Sequence, residues 1–312
     1  MKGFSQEKRK IQEREYSTPK TYVISDMRPT RPLINYLWNE STVLKTDHFG
    51  FGNSFTMVGT ERRAIEDGER LVYVRDNATG EFYSPNRNYT NLPFSVYRCE
   101  VGLGFQRIVS EYDDIRTTFE ITVPLKESVA LFRVRVENIG EKARDLSVYF
   151  VIKPQANLTP HTSYGKGDYS QVTGGLFYPH RAFKVAREGC CLYVNSDVPP
   201  TAYDVCEKNF KGIYNGFHDP IGLHSEKLSC KGTTFEDFYL AAFQFDVALG
   251  ANEKAEYVFA AGCADDEEDC ARYAKKYASG AFFEETLKEQ AVNNDMYTDI
   301  YLCDTPDDYY NT

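Results

Sequence analysis

The feature that most constrains the fold is a strand–turn–strand pattern in residues 71–85, LVYVRDNATGEFYSP. A β-branched and aromatic run, LVYVR, is followed by the turn residues DNATG and by a second short run, EFYS. This order predicts a β-hairpin with a loop of about four or five residues, in which Gly80 suits a positive φ. Since side chains alternate along a strand, Val72 and Val74 are expected on the face opposite Tyr73.

The same alternation of short strands and polar turns continues through most of the chain. It is clearest in residues 96–152, where ALFRVRVEN and RDLSVYFVI flank a predicted turn at residues 138–142. About a dozen or more strands of this kind predict an all-β domain, a large antiparallel sandwich. Further strand patterns occupy residues 22–25, 43–60, 183–196, 235–248 and 254–261.

Helical patterns occur only near the end of the chain. Asp265 is expected to cap a helix over residues 266–278, which has acids in its first turn and lysines in its last. A second helix is predicted over residues 281–292. The predicted organisation is an N-terminal arm at 1–20, a β domain at 21–263 and a helical tail at 264–312.

Two stretches lack a regular pattern, residues 153–170 and residues 199–232. The first, KPQANLTPHTSYGKGDYS, is rich in Pro, Gly, Ser, Thr and Tyr. Long loops in compact domains are often functional, so residues 153–170 are the first place to look for a binding site.

Composition excludes several classes of function. The formal net charge is −10, with no cluster of Lys or Arg to offset it, so neither nucleic acid nor an anionic membrane is an expected partner. No apolar run reaches the roughly 20 residues of a spanning helix, and the charged N-terminus does not resemble a signal peptide. The expected location is cytoplasmic. Aromatic residues make up 14% of the chain, which suits both sheet cores and stacking on sugar rings.

Side chains that could carry chemistry are not arranged as a recognisable catalytic or metal motif. His161 and His180 are 19 residues apart and His218 and His224 are six apart, which does not indicate a metal site. No GxSxG motif occurs, and no cysteine signature surrounds any of the thiols. The adjacent acids, Asp113/Asp114 and Asp307/Asp308, would point to opposite faces of a strand and so cannot flank one glycosidic bond.

The motifs YVISDMRPTRPLINYLWN, HFGFGNSF, LVYVRDNATGEFYSP, YRCEVGLGFQRI, FEITVP and LFRVRVEN occur in the same order as in a known family. Over residues 20–262 the chain resembles the N-terminal β-sandwich of glycoside hydrolase family 94, the inverting β-glucoside phosphorylases. The resemblance implies a supersandwich of the galactose-mutarotase-like type, followed by a helical linker. CDTPDDYYN resembles the first residues of the family's (α/α)6 barrel. One departure is Pro32-Leu33, where the family commonly has Pro-Trp.

In the family the general acid and most phosphate-binding groups lie in the barrel, so the resemblance implies no catalytic residue in this chain. It implies instead a dimer surface and a loop that approaches an active site. By position that loop is residues 158–169, LTPHTSYGKGDY, where Tyr164 would stack on a sugar and Lys166 would bond hydroxyls or phosphate. The alternative is an ordinary solvated loop. The candidate substrate-binding residues are His161, Tyr164, Lys166 and Asp168.

The expected function is therefore a non-catalytic sandwich domain or subunit of a family 94-like phosphorylase. Expected partners are a β-linked gluco-oligosaccharide and either a barrel-bearing catalytic polypeptide or further copies of the chain. The resemblance implies no cofactor or metal, with inorganic phosphate as co-substrate of the complete enzyme. The alternatives are a free-standing β-glucan-binding module, a mutarotase-like epimerase, or a fragment of a longer protein.

Overall fold

The computed structural model describes residues 21–58, 61–155, 167–180, 190–232 and 238–301. The predicted arm at 1–20, most of the 158–169 loop, the start of the predicted strand at 183–196, and Asp307/Asp308 lie outside these residues. The described strands are β1 Thr21–Ile24, β2 Ile34–Trp38, β3 Thr42–Asp47, β4 Gly52–Val58, β5 Glu61–Asp76, β6 Phe82–Tyr83, β7 Val96–Gly102, β8 Phe105–Tyr112, β9 Ile115–Thr122, β10 Val129–Asn138, β11 Arg144–Pro154, β12 Asp168–Ser170, β13 Gly175–His180, β14 Cys190–Ser196, β15 Ala202–Cys206, β16 Tyr239–Leu249 and β17 Lys254–Ala264. The helices are α1 Glu207–Phe210, a 3-10 turn Ile221–His224, α2 Glu267–Tyr277 and α3 Gly280–Tyr301.

These strands form two sheets whose described pairings are all antiparallel. Sheet A has nine strands in the order β1-β7-β8-β9-β10-β17-β14-β13-β12. Sheet B has eight, in the order β15-β16-β11-β5-β4-β3-β2, with β6 paired to β5. The inner faces of the two sheets pack against each other over one core, which confirms the predicted sandwich.

The predicted hairpin at residues 71–85 is present, and its first arm belongs to the 16-residue strand β5. Asp76 closes the turn, because its Oδ1 accepts hydrogen bonds from the backbone N–H of Ala78 (2.8 Å) and Thr79 (3.1 Å). Gly80 has a φ of +76°. Val72 and Val74 lie in the core between the sheets, and Tyr73 packs on the opposite face of sheet B.

Aromatic side chains fill the space between the sheets. Phe150 of β11 stacks on Phe259 of β17 with ring centroids 4.1 Å apart, and it also contacts Phe119 and Phe132. All four side chains are buried. Burying each one contributes about 1.5–3 kcal/mol relative to leaving it exposed. Since Phe150 belongs to sheet B and the other three to sheet A, the cluster holds the two sheets together.

A buried ion pair lies inside the sandwich in the middle of β5. The side chains of Arg70 and Glu66 are both fully buried, and Arg70 Nε donates to Glu66 Oε1 at 3.0 Å. Arg70 Nη1 also donates to the carbonyl oxygens of Lys45 and Gly50, each at 3.0 Å. These bonds fix the turn between β3 and β4 to β5.

Asn86 completes this arrangement from the chain that follows the hairpin. Its side-chain amide donates to the carbonyls of Phe49 (2.7 Å) and Arg70 (2.9 Å), and its Oδ1 accepts from the backbone N–H of Val72 (2.9 Å). Asn86 is itself buried. One amide therefore joins the β3–β4 turn, the middle of β5 and the end of the hairpin.

The helical tail differs from its prediction at two points. The N-cap of α2 is Asp266, not Asp265, since Asp266 Oδ1 accepts from the backbone N–H of Asp269 at 2.8 Å. The second helix, α3, extends to Tyr301 instead of ending at residue 292. Gln290 and Asn294 reach from α3 to the carbonyls of Val123 (2.6 Å) and Leu103 (2.8 Å). Contacts with sheet A therefore support the helix where its sequence pattern is weak.

Two predicted irregular stretches contain regular structure. Residues 168–170 are strand β12 at the edge of sheet A, and the 199–232 stretch contains β15, α1 and the 3-10 turn. Both strands are short and are held by pairing with β13 and β16, which local sequence does not reveal. None of the helices that the structure describes is both long and apolar enough to cross a bilayer.

Replacing Arg70 with Met should lower the free energy of unfolding by about 3–5 kcal/mol, because it leaves the Glu66 carboxylate buried without its cation. Chemical denaturation at neutral pH measures this. The control is Arg98→Met, which removes a half-exposed partner of Glu100 and should cost about 1 kcal/mol or less. Equal losses of unfolding free energy in the two variants would contradict a larger contribution from the buried pair.

Candidate functional site

Of the four candidate substrate-binding residues, the structure describes one. His161, Tyr164 and Lys166 lie outside the described residues, and their roles stay predictions. Asp168 is the first residue of β12 and is exposed. Its Oδ1 accepts a hydrogen bond from the backbone N–H of Tyr169 at 2.8 Å. The carboxylate therefore lies at the base of the predicted loop, at the edge of sheet A.

An aromatic pair stands beside Asp168. Tyr169 of β12 stacks on Tyr203 of β15, with ring centroids 5.2 Å apart and planes 25° apart. Burial, and then the charge of Asp168, raise the pKa of the Tyr203 hydroxyl, which therefore stays protonated at neutral pH. The pair joins β12, an edge strand of sheet A, to β15, an edge strand of sheet B. It offers a half-exposed aromatic surface next to a carboxylate, a combination that suits a sugar ring and its hydroxyls.

The base of the loop is also tied to the helical tail. Ser170 of β12 donates a hydrogen bond to the carboxylate of Glu267 in the first turn of α2. Cys270 and Ala274 of α2 are buried against sheet A. The segment that carries Asp168 is thus held from one side by Tyr203 and from the other by α2.

Asp204 follows Tyr203 on β15 and lies on the opposite face of the strand. It was not foreseen from the sequence. It is 1% exposed, and its Oδ1 accepts hydrogen bonds from the backbone N–H and the hydroxyl of Ser229. Its Oδ2 has no hydrogen-bond partner among the described residues. Burial raises the pKa of Asp204 to about 6. A buried carboxyl with such a pKa can exchange a proton near neutrality, but here only 1% of the residue's surface is exposed.

One cleft, about 670 Å³, lies on the outer face of sheet A beside α3. It is lined by arginine and glutamate side chains, most of which belong to one ion-pair network. Arg107 bonds Glu100 (3.0 Å) and Glu120 (2.7 Å), and Arg133 bonds Glu120 (2.6 Å). Among the described residues every arginine of this cleft has a carboxylate partner, so the cleft is not a free anion site.

The network also holds α3. Arg133 forms an ion pair with Glu284, and its guanidinium carbon lies 4.4 Å from the centre of the Phe283 ring. Phe283 is fully buried. The sequence carries a signal for this surface in the alternate charges of FRVRVEN and IRTTFE, but the pairing of distant strands was needed to recognise it.

The residues considered for metal binding or paired-carboxylate chemistry do not come together. His224 bonds Asp219 with Nε2 and Oδ1 2.7 Å apart. No group of three His, Cys, Asp or Glu side chains in the described ranges could hold a metal ion. Asp113 and Asp114 form the two-residue turn between β8 and β9, with φ of +51° and +61°, and Arg144 binds Asp113 at 2.7 Å.

The fold defines a class: a two-sheet antiparallel β-sandwich with a helical segment packed on its outer face. The chain belongs to glycosyl hydrolase family 94, because the model of that family's supersandwich domain matches residues 20–280. This confirms the resemblance seen in the ordered sequence motifs.

The curated relatives include several phosphorylases. A solabiose phosphorylase of Paenibacillus borealis is 23% identical over 91% of this chain and 39% of its own length. A 3-O-β-D-glucopyranosyl-β-D-glucuronide phosphorylase from the same organism is 25% identical over 93% of this chain and 38% of its own length. The chain thus spans less than two-fifths of the length of these relatives.

Solved structures share the fold. A bacterial glucoamylase complexed with acarbose superposes with a TM-score of 0.50, covering 86% of this chain and 39% of the glucoamylase chain. The identity is 10%, so this similarity concerns the fold alone.

Asp204→Asn should remove a pH dependence of stability. A carboxyl whose folded-state pKa lies above its unfolded value stabilises the fold at low pH, and this contribution is lost as the pH rises through the folded-state value, here about 6. Relative to the variant, the wild type should lose about 2–3 kcal/mol of unfolding free energy between about pH 4 and pH 7. Denaturant titrations at several pH values test this. Asp114→Asn, in an exposed turn, is the control, and parallel pH profiles for wild type and Asp204→Asn would contradict the expectation.

Proposed function

We propose that this chain is a non-catalytic domain or subunit of an inverting β-glucoside phosphorylase, and that it supplies an assembly surface and a loop that approaches the active site. The observation that carries the proposal is the match to the family 94 supersandwich domain, together with phosphorylase relatives that are more than twice as long. The substrate of the complete enzyme is a β-linked gluco-oligosaccharide, inorganic phosphate is its co-substrate, and no other cofactor is required. Its proposed location is the cytoplasm.

The chemistry of phosphorolysis explains why a second polypeptide unit is needed. Attack of phosphate on the anomeric carbon requires a carboxylic acid that protonates the glycosidic oxygen on the other side of the bond. Family resemblance assigns that acid to a barrel. In the described residues the adjacent acids Asp113 and Asp114 occupy a tight turn, and the nearly buried Asp204 has no access to a substrate.

The proposed assembly surface is the C-terminal half of α3 and the neighbouring turn of sheet A. Val292 and Met296 lie one helical turn apart and are 71% and 57% exposed, and Leu103 is 49% exposed. Val292 and Met296 share the exposed face of α3, because residues four apart lie on one side of a helix. Asn294, on the other side, bonds the carbonyl of Leu103. Exposed apolar side chains that cluster in this way are typical of contact with another protein surface.

This surface lies at the same end of the sandwich as the base of the predicted loop. Val123, which Gln290 of α3 contacts, follows the last residue of β9, and β11 ends at Pro154. Packed sheets keep their strands nearly aligned, and β9 and β11 both begin at the end where Arg144 contacts Asp113. A catalytic polypeptide that covered α3 would therefore be near Asp168, at the base of the predicted loop.

The chain alone should release no glucose 1-phosphate from β-linked gluco-oligosaccharides and phosphate. Added to a family 94 polypeptide that carries the barrel but lacks its own sandwich, it should restore release. The variant Val292→Lys/Met296→Lys should weaken both restoration and co-sedimentation at least tenfold, because it places charges on the apolar contact.

The matched control is Ile213→Lys, which changes a side chain that is 76% exposed but belongs to the segment packed on the other sheet. It should behave as the wild type. Turnover by the chain alone that a point substitution within it abolishes would refute a non-catalytic role. Normal co-sedimentation of the double variant would refute the assembly surface.

A further inference from the structure

A second cleft, about 460 Å³, lies at the opposite end of the sandwich from the loop. It forms where β5 ends, where β8 turns into β9 and where β11 begins. Arg144 and Pro154 are the two ends of the 11-residue strand β11, so the cleft is about 34 Å from the base of the loop. Its volume falls within the roughly 300–1,000 Å³ of small-molecule sites.

Aromatic side chains line this end cleft. Tyr83 and Tyr112 meet edge to face with ring centroids 4.9 Å apart, and Phe82, on the opposite face of β6, meets the ring of His224 at 5.2 Å. Phe82, Tyr83 and Tyr112 are half-buried, so each ring keeps part of its surface in the cleft. Partly exposed rings held in place by one another are suited to stacking against the C–H face of a pyranose.

A charged triad also lines the cleft. Arg144 donates to the carboxylate of Asp76 (2.8 Å) and to that of Asp113 (2.7 Å). Burial acts to raise the pKa of Asp76, but hydrogen bonds from Arg144 and from two backbone N–H groups outweigh it and lower the pKa. The Asp113 side chain is 62% exposed, and a carboxylate has more acceptor positions than Arg144 uses. The triad can therefore accept hydrogen bonds from hydroxyl groups of a ligand.

The charge of the lining selects the class of ligand. The cleft presents the carboxylates of Asp76, Glu81 and Asp113 against the single guanidinium of Arg144. This excess of negative charge repels phosphorylated or acidic sugars and leaves neutral, hydroxyl-rich ones. Aromatic rings and hydrogen-bond acceptors in one cleft match the two kinds of surface that a neutral sugar has.

We propose that the end cleft is a binding site for the end of a neutral β-linked gluco-oligosaccharide, at the opposite end of β11 from Pro154. The choice of β-linked glucose as the sugar rests on the proposed function, whereas the neutral sugar class rests on the cleft. A site about 34 Å from the base of the loop would hold a second oligosaccharide, or a distant part of a long one, near the enzyme.

Isothermal titration calorimetry of the intact chain with cellotetraose and laminaritetraose tests this site. The wild type should bind at least one of them saturably, and glucose 1-phosphate should not compete. Tyr112→Ala, which removes part of the aromatic wall, and Thr90→Trp, which fills the cleft from an exposed position, should each weaken binding at least tenfold. Thermal unfolding of both variants shows whether the fold is retained, and Thr90→Trp serves if Tyr112→Ala does not fold.

The matched control is Trp38→Ala. Trp38 is 67% exposed on β2, three strands away from β5 across sheet B, and its loss should leave binding unchanged. No saturable binding by the wild type, binding that both cleft variants retain, or binding that only Trp38→Ala abolishes would each overturn the proposal. Restoration of phosphorolysis is a separate readout: if it fails while the cleft variants still lose binding, the proposed function is wrong and the end cleft stands.

Discussion

The arrangement of sheet B depends on a guanidinium in the interior of the sandwich. Arg70 has no water to solvate it, so Glu66 and the carbonyls of Lys45 and Gly50 take the place of water. Its guanidinium carbon also lies 5.8 Å from the centre of the Phe132 ring of sheet A. Because a buried charge is tolerated only when it is paired and hydrogen-bonded, the turn between β3 and β4 has little freedom to move. Asn86 adds the hairpin to the same set of bonds.

The alternation of side chains along the sequence was sufficient to predict an antiparallel β-sandwich. Alternating residues predicted the hairpin at 71–85 and the strands of residues 96–152, because one face of each strand is buried between the sheets. It failed where strands depend on a neighbour more than on their own residues. β15, AYDVC, is one such strand, and its buried Asp204 is satisfied on one oxygen by Ser229, which lies 25 residues further on. Side-chain partners at that separation leave no local pattern.

The surfaces were less predictable than the fold. The resemblance predicted a binding loop at residues 158–169. Of these the structure describes Gly167, Asp168 and Tyr169. Asp168 and Tyr169 border the half-exposed surface that also includes Tyr203. The arginine–glutamate network and the end cleft each combine residues from strands that are far apart in the chain. The hairpin turn at 76–80 could be predicted as a turn, but its nearness to Arg144 and Tyr112 follows from the pairing of β5 with β11 and from the packing of the two sheets.

The attachment of α3 has a mechanical consequence. The helix is fixed at three levels along its axis, by Glu284 to Arg133, by Gln290 to the carbonyl of Val123 and by Asn294 to that of Leu103. A helix attached at three positions along its axis cannot rotate independently of the sheet, so its direction is set by the twist of sheet A. Any protein that binds the exposed face of α3 is consequently oriented by the sandwich as a whole. A small change in the curvature of sheet A would then rotate that protein.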